Sequence, residues 1–222
     1  MANLHFSLGR NTYDNQPAQC SATDFDDFVS QISQTGSTRK GQTYICSPLR
    51  KGPHTDRNKY PEDAHWRIRA LALPRAFLAL DADRFATPES FTEFRQVISQ
   101  WNSLIYTTAS HTQQAPRARA LIELSREIDY DEGVALGDAV QRLIEALLGG
   151  DNITLDSCVY RSTQPIFAPL VTAELFRSKG PALDVASILS SCTAPTPSLF
   201  GPNMEGMGAH FPVAPQDAAT QN

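Results

Sequence analysis

Arg75-Ala-Phe-Leu-Ala-Leu-Asp-Ala-Asp83 is the stretch on which the reading of this chain turns. An apolar run comes after Pro74 and ends in two carboxylates spaced two apart, which predicts a buried strand ending in Asp81 and Asp83. Side chains alternate along a strand, so the two carboxylates are expected on one face and Leu78 and Leu80 on the other, in a core. Two carboxylates this close raise each other's pKa unless a cation lies between them. Hard divalent ions with oxygen ligands, Mg2+ or Mn2+, resolve that repulsion. The alternative is a solvated Asp-Ala-Asp turn at a strand end. At an exposed strand edge, replacing either Asp is expected to cost little stability.

The residues after Asp83 predict a helix. Thr87 suits the N-cap, Pro88 the first helical position and Glu89 the positive end, with Phe91, Phe94, Ile98 and Trp101 on one apolar stripe. Residues 104–109 read as a strand, His111 to Pro116 as a polar turn, and residues 117–124 as a second strand. A helix is expected over Asp131 to Leu148, with Leu136, Val140, Leu143, Ile144 and Leu147 inward and Gly149-Gly150 closing it. Short strands are expected near Asp156 and at residues 165–168.

The order strand, helix, strand, strand, helix, strand over residues 74–169 is that of a ferredoxin/RRM-like βαββαβ core. The fold class is therefore α+β, with that core joined to an N-terminal α/β unit over 1–73. That unit is expected to hold a helix at Ser21 to Thr35 capped by Thr23, a strand at Gln42 to Ser47, a loop from Pro48 to Pro61, and a strand over Ala64 to Leu73. A closing helix is expected at 182–189, completing one domain of 1–189. Residues 190–222, rich in Pro, Ala, Gly, Ser and Thr, read as a disordered tail or a linker.

In this topology one sheet edge collects Asp81, Asp83, His111, Arg117, Arg119 and Asp156. Three carboxylates can hold two divalent ions about 3.5–4 Å apart, the arrangement that serves in-line phosphoryl transfer. Arg suits bidentate contact with phosphate.

Composition bounds the rest. The chain has 222 residues, a formal net charge of -5 and four scattered cysteines without a Cys-x-x-Cys pair. This pattern predicts reduced thiols in the cytoplasm and no zinc; Cys46, His54 and His65 match no standard metal spacing. No apolar run is long enough to span a membrane. Between Arg39 and Arg69, eight Lys or Arg face only Asp56, Glu62 and Asp63. That local excess is a candidate phosphate-binding surface, or simply a solvated basic loop.

The chain resembles the archaeo-eukaryotic primase superfamily, the primase-polymerases of plasmids, phages and mobile elements. The resemblance rests on the strand ending Asp81-Ala-Asp83, on Thr107-Thr-Ala-Ser-His111, and on Thr154-Leu-Asp156 with the segment to Pro169. The run from Ser110 through Arg117-Ala-Arg119 to Arg126 also fits. It implies DNA-templated nucleotidyl transfer, with Asp81, Asp83 and Asp156 as catalytic metal ligands for Mg2+ or Mn2+. It implies nucleotide contacts from His111, Ser110, Arg117 and Arg119. The partners would be a single-stranded DNA template and NTP or dNTP, with a helicase or C-terminal domain beyond the linker. Template contacts are expected from Arg50, Lys51, Arg57 and Lys59.

Three other readings share this core. A non-catalytic RRM-like nucleic-acid-binding module would carry exposed aromatics on its central strands, where this chain carries Asp81 and Asp83. A rolling-circle nicking enzyme needs a His-x-His pair, which is missing. A catalytically dead relative acting only in assembly stays an open alternative, with three intact acidic positions arguing against it.

Overall fold

The computed structural model describes residues 3–193, and the rest of the expected tail, 194–222, lies outside them. Two antiparallel sheets and four helices make up the described chain.

The second sheet carries the predicted core. Strand β4 spans Arg75–Phe85, β5 Ser103–Thr107, β6 Ala118–Ile128 and β7 Ile153–Leu155. Helix α2 (Pro88–Ile98) joins β4 to β5, and α3 (Tyr130–Leu148) joins β6 to β7. The spatial order is β7-β4-β6-β5, the ferredoxin-like arrangement, extended at one edge by β9 (Leu175–Ser178). Strand β9 was not legible in the sequence, because only four partly exposed residues form it.

Local chemistry explains the helices. The Thr87 hydroxyl accepts from the Ser90 N–H at 3.2 Å, and Phe91, Phe94, Ile98 and Trp101 are all buried as the stripe requires. Asp129 caps α3 by accepting from the Glu132 N–H at 2.9 Å, and Gly149 ends it at φ 86°. The inward face is shifted slightly from expectation: Leu147 is 59% exposed and Leu148 is buried. The last helix, α4, spans Val185–Thr193, so residues 190–193 extend it rather than begin a tail.

The first sheet is β2-β1-β3-β8, built from β1 (Leu4–Gly9), β2 (Ala18–Ala22), β3 (Tyr44–Cys46) and β8 (Ile166–Phe167). The segment at 165–168 therefore pairs with β3 of the N-terminal unit, not with the core sheet. Helix α1 is shorter than expected, Phe25–Ser33, and its cap is Asp24, which accepts from the Asp27 N–H at 2.8 Å. Thr23 instead donates to the Asp27 carboxylate. The expected strand at 64–73 is absent. Trp66 is buried there against His54 and Tyr60, and a short 3-10 turn spans Arg69–Leu71. Its apparent alternation came from a loop folding onto its own aromatics.

The sheets are tied together across one core. Phe77 of β4 stacks on Phe28 of α1 at 5.1 Å, and the Tyr106 hydroxyl of β5 donates to the Phe167 carbonyl of β8 at 2.8 Å. Tyr106→Phe is expected to cost about 1 kcal/mol in denaturant unfolding, the usual net worth of one such bond.

Arg75, at the start of β4, is fully buried; burial lowers its pKa to about 10. Its Nη2 donates to the Tyr160 carbonyl at 2.8 Å, fixing the segment just after Asp156. Helix α3 crosses this segment closely. A Cβ on Gly137 would fall 2.2 Å from the Tyr160 ring. Gly137→Ala is therefore expected to lower the melting temperature. Overpacking costs about 1–3 kcal/mol and outweighs the gain of up to about 1 kcal/mol in helix propensity.

Candidate functional site

The carboxylates lie near the end of β4, where its pairing with β6 stops and its pairing with β7 runs on. Asp81 lies opposite Arg119 in the β4–β6 ladder. The Arg119 guanidinium donates to Asp81 Oδ2 from Nε at 2.9 Å and from the second nitrogen at 2.8 Å, with both side chains about 10% exposed. Arg119 also lies over the Phe167 ring of the first sheet, 5.4 Å from its centroid. The pair is thus enclosed between the two sheets.

Asp156 arrives from β7. Its backbone N–H donates to the Asp81 carbonyl at 2.9 Å, and its Oδ1 accepts from the Cys158 N–H at 2.9 Å, capping a short 3-10 turn at Ser157–Tyr160. Asp156 comes directly after the last residue of β7 rather than preceding the strand. With only three residues in β7, both ends lie by the end of β4.

Asp83 departs from strict alternation. The β4–β7 register shifts between Ala82 and Arg84. Phe77 faces the first sheet's layer, whereas Phe85 packs on Phe91 and Phe94 of α2. Both positions are odd, so an extra residue must intervene, and the bulge supplies it. Asp81 is consequently buried and Asp83 exposed, so the expectation of one shared face does not hold as a simple consequence of strand period.

Burial raises the Asp81 pKa above the usual carboxylate range; Arg119 opposes this, while Asp83 and Asp156 add to it. Oδ1 of Asp81 is buried with no hydrogen-bond partner. A buried, unpartnered carboxylate oxygen beside two further acids is suited to a hard divalent cation. Among the described residues, no three His, Cys, Asp or Glu side chains are already gathered closely enough to hold an ion. The donor chemistry fits, and Arg119 supplies the positive charge in the arrangement described.

The other expected residues fall in different places. Arg117 is exposed and directly precedes β6, two residues before Arg119. His111 packs on Phe91 of α2 at 5.7 Å, and its Nδ1 accepts from the Arg117 N–H at 3.1 Å. It therefore belongs to the helix side of the sheet, away from the Asp81–Arg119 face. Ser110 is exposed, its hydroxyl 3.4 Å from that of Thr108.

The basic loop is tied to the start of β4, whereas the carboxylates mark its end. Leu49 bridges to Ala72, and Arg50 donates to the Ala70 carbonyl at 2.9 Å. Arg57 pairs with Asp63 at 2.8 Å, Lys59 lies over Tyr60 at 5.2 Å, and Lys51 is exposed. Six to eight residues of strand separate this loop's anchor from Asp81 and Asp83, roughly 20–26 Å.

Two residues beside the pair were not singled out in the sequence. Lys40 and Phe167 line the narrow space with Arg119, Tyr106 and Thr108, and the Lys40 ammonium lies 5.9 Å from the Phe167 ring centroid. Lys40 was visible only as one member of the basic excess, and Phe167 only as a strand residue within the segment to Pro169, with no role of its own.

The family described as VapE N-terminal domain matches residues 66–191, more than half of the chain. The chain belongs to the VapE N-terminal domain family. That match covers the whole βαββαβ sheet of this VapE N-terminal domain, together with the 3-10 turn after Asp156, β8, β9 and most of α4. Among solved structures, the primase-polymerase AEP domain of cyanophage S-2L is similar at 10% identity and a TM-score of 0.44, over 85% of this chain and 88% of that one. The polymerase domain of ligase D from Mycobacterium tuberculosis, solved with DNA, is similar at 9% identity and a TM-score of 0.40, over 84% and 70%. No curated protein matches significantly. No helix among the described residues is long and apolar enough to cross a membrane.

Proposed function

We propose that this chain is a DNA-templated nucleotidyltransferase of the primase-polymerase kind, acting in replication of a mobile element. The observation that carries the reading is that Asp81, Asp83 and Asp156 share one sheet end, close enough for Asp83 and Asp156 to act on the Asp81 charge, with Asp81 Oδ1 buried and unpartnered. Asp81, Asp83 and Asp156 would hold Mg2+ or Mn2+, and such ions neutralise the charge that develops in phosphoryl transfer. Arg119 holds the Asp81 carboxylate by Oδ2 and thereby leaves Oδ1 free. Its positive charge, with Lys40 lining the same narrow space, favours the phosphates of an incoming nucleotide. The resemblance in sequence motifs supports the same chemistry, with NTP or dNTP as substrate and single-stranded DNA as template.

The test is incubation with a single-stranded template, Mg2+ or Mn2+, and labelled NTPs or dNTPs in separate reactions. Template-dependent products are expected, and their sugar identifies the substrate. Binding of the template without any product would favour the RRM-like binding module instead. If Arg50, Lys51, Arg57 and Lys59 capture template through phosphates, replacing them with Gln should reduce the salt dependence of single-stranded DNA affinity, by about 0.7 in log–log slope for each phosphate no longer neutralised.

A further inference from the structure

On the helix side of the same sheet end, a cleft of about 500 Å3 opens between α2, the β5–β6 connection and the residues before β9. Its lining includes Phe91, His111, Pro116, Gln113, Gln114 and Glu174. We propose that this cleft takes one unpaired base of a single-stranded nucleic acid; the inference rests on the templated reading above and names a contact that the reading does not contain.

The chemistry of the lining selects a flat, neutral ligand with hydrogen-bonding edges. Neither Lys nor Arg lines the cleft, and Glu174 stands at its rim, so a phosphate would meet negative rather than positive charge. Two aromatic rings are already paired there: Phe91 and His111 lie 5.7 Å apart, with Pro116 beside them. His111, half-buried beside the buried Phe91 and Pro116, offers the ring face, and such a face stacks on any base regardless of sequence. The Gln113 and Gln114 carboxamides are exposed, each offering a donor and an acceptor to a base edge. In the neutral His111 ring, Nδ1 is occupied as an acceptor from Arg117, so the proton is on Nε2, available as a further donor.

The position is consistent with a strand passing the site. The Thr108 N–H donates to the Arg117 carbonyl at 3.1 Å and closes the β5–β6 connection. Its helix side carries the cleft, and the face of the sheet beside it carries Asp81 and Arg119. A base splayed into the cleft would fix the register of a strand whose backbone continues around that connection.

The experiment uses the full chain and short oligothymidylates of about one site length, in which a single abasic residue is moved through the sequence. Affinity is read by fluorescence anisotropy for the wild type and for the Gln113→Ala/Gln114→Ala double variant; both residues are exposed, so the fold is not at stake. One position is expected at which the abasic residue weakens wild-type binding about tenfold, and the double variant should lose most of that position's penalty. Binding that is equally insensitive, or equally sensitive, at every position would overturn the base site and leave templated transfer standing. A uniform loss in the double variant, with the positional penalty intact, would assign the cleft to the nucleic-acid backbone and also overturn it. If the wild type binds no single-stranded DNA, both the base site and the templated reading fall.

Discussion

Asp81→Ala is expected to destabilise the protein by about 3–5 kcal/mol, because it leaves the Arg119 guanidinium buried without its partner. This reverses the expectation from the sequence, in which Asp81 was an idle or metal-binding residue at an exposed edge. Both partners are about 10% exposed, so water cannot stand in for the missing carboxylate. Chemical denaturation should show a lower midpoint without a change in slope. Arg119→Met should destabilise for the mirror-image reason, exposing the excess of negative charge from Asp81, Asp83 and Asp156. The double variant Asp81→Leu/Arg119→Met should recover much of the loss, since replacing a whole buried pair by apolar side chains is often neutral. If the single variants are as stable as the wild type, the enclosed ion pair is not formed in solution.

The second large effect separates chemistry from folding. Asp83→Asn and Asp156→Asn are expected to reduce nucleotidyl transfer by about 100- to 1,000-fold at matched Mg2+, the scale seen when one preorganised electrostatic group is removed. Neither change should unfold the protein. Asp83 is exposed, and Asn is as good as Asp in the capping role that Asp156 plays toward Cys158. Calorimetric titration with Mn2+ should show weakened binding in both variants while thermal unfolding stays near that of the wild type. Full transfer activity in either variant would remove that carboxylate from the proposed site.

The parts of the fold governed by local period and capping were legible in the sequence. The β4 run, the Thr87–Pro88 start of α2, the apolar stripe of α2 and the Gly149 stop of α3 each declare themselves within a few residues. Their order was enough to infer the βαββαβ topology, and that topology brought Asp156 next to Asp81 across about seventy residues. Short elements were missed because what defines them lies in partners elsewhere. Strand β9, four residues long, went unseen because only its ladder to β5 makes it a strand, whereas the two-residue β8 was expected as a strand but its pairing with β3 was not.

By itself, then, the sequence determined the α+β class, the start of α2, the span of α3 to within a residue, and the set of acids that share one sheet end. Tertiary structure decided what each of those side chains faces. A single extra residue at the β4 bulge separates the environments of Asp81 and Asp83, because strand period is two and one insertion reverses it. The pairing of β8 with β3 lays the Phe167 ring against Arg119 and encloses the ion pair. The packing of His111 on Phe91 turns that ring toward α2 rather than the carboxylates. Each depends on a contact between segments distant in the chain, and such contacts leave no periodic trace in either segment.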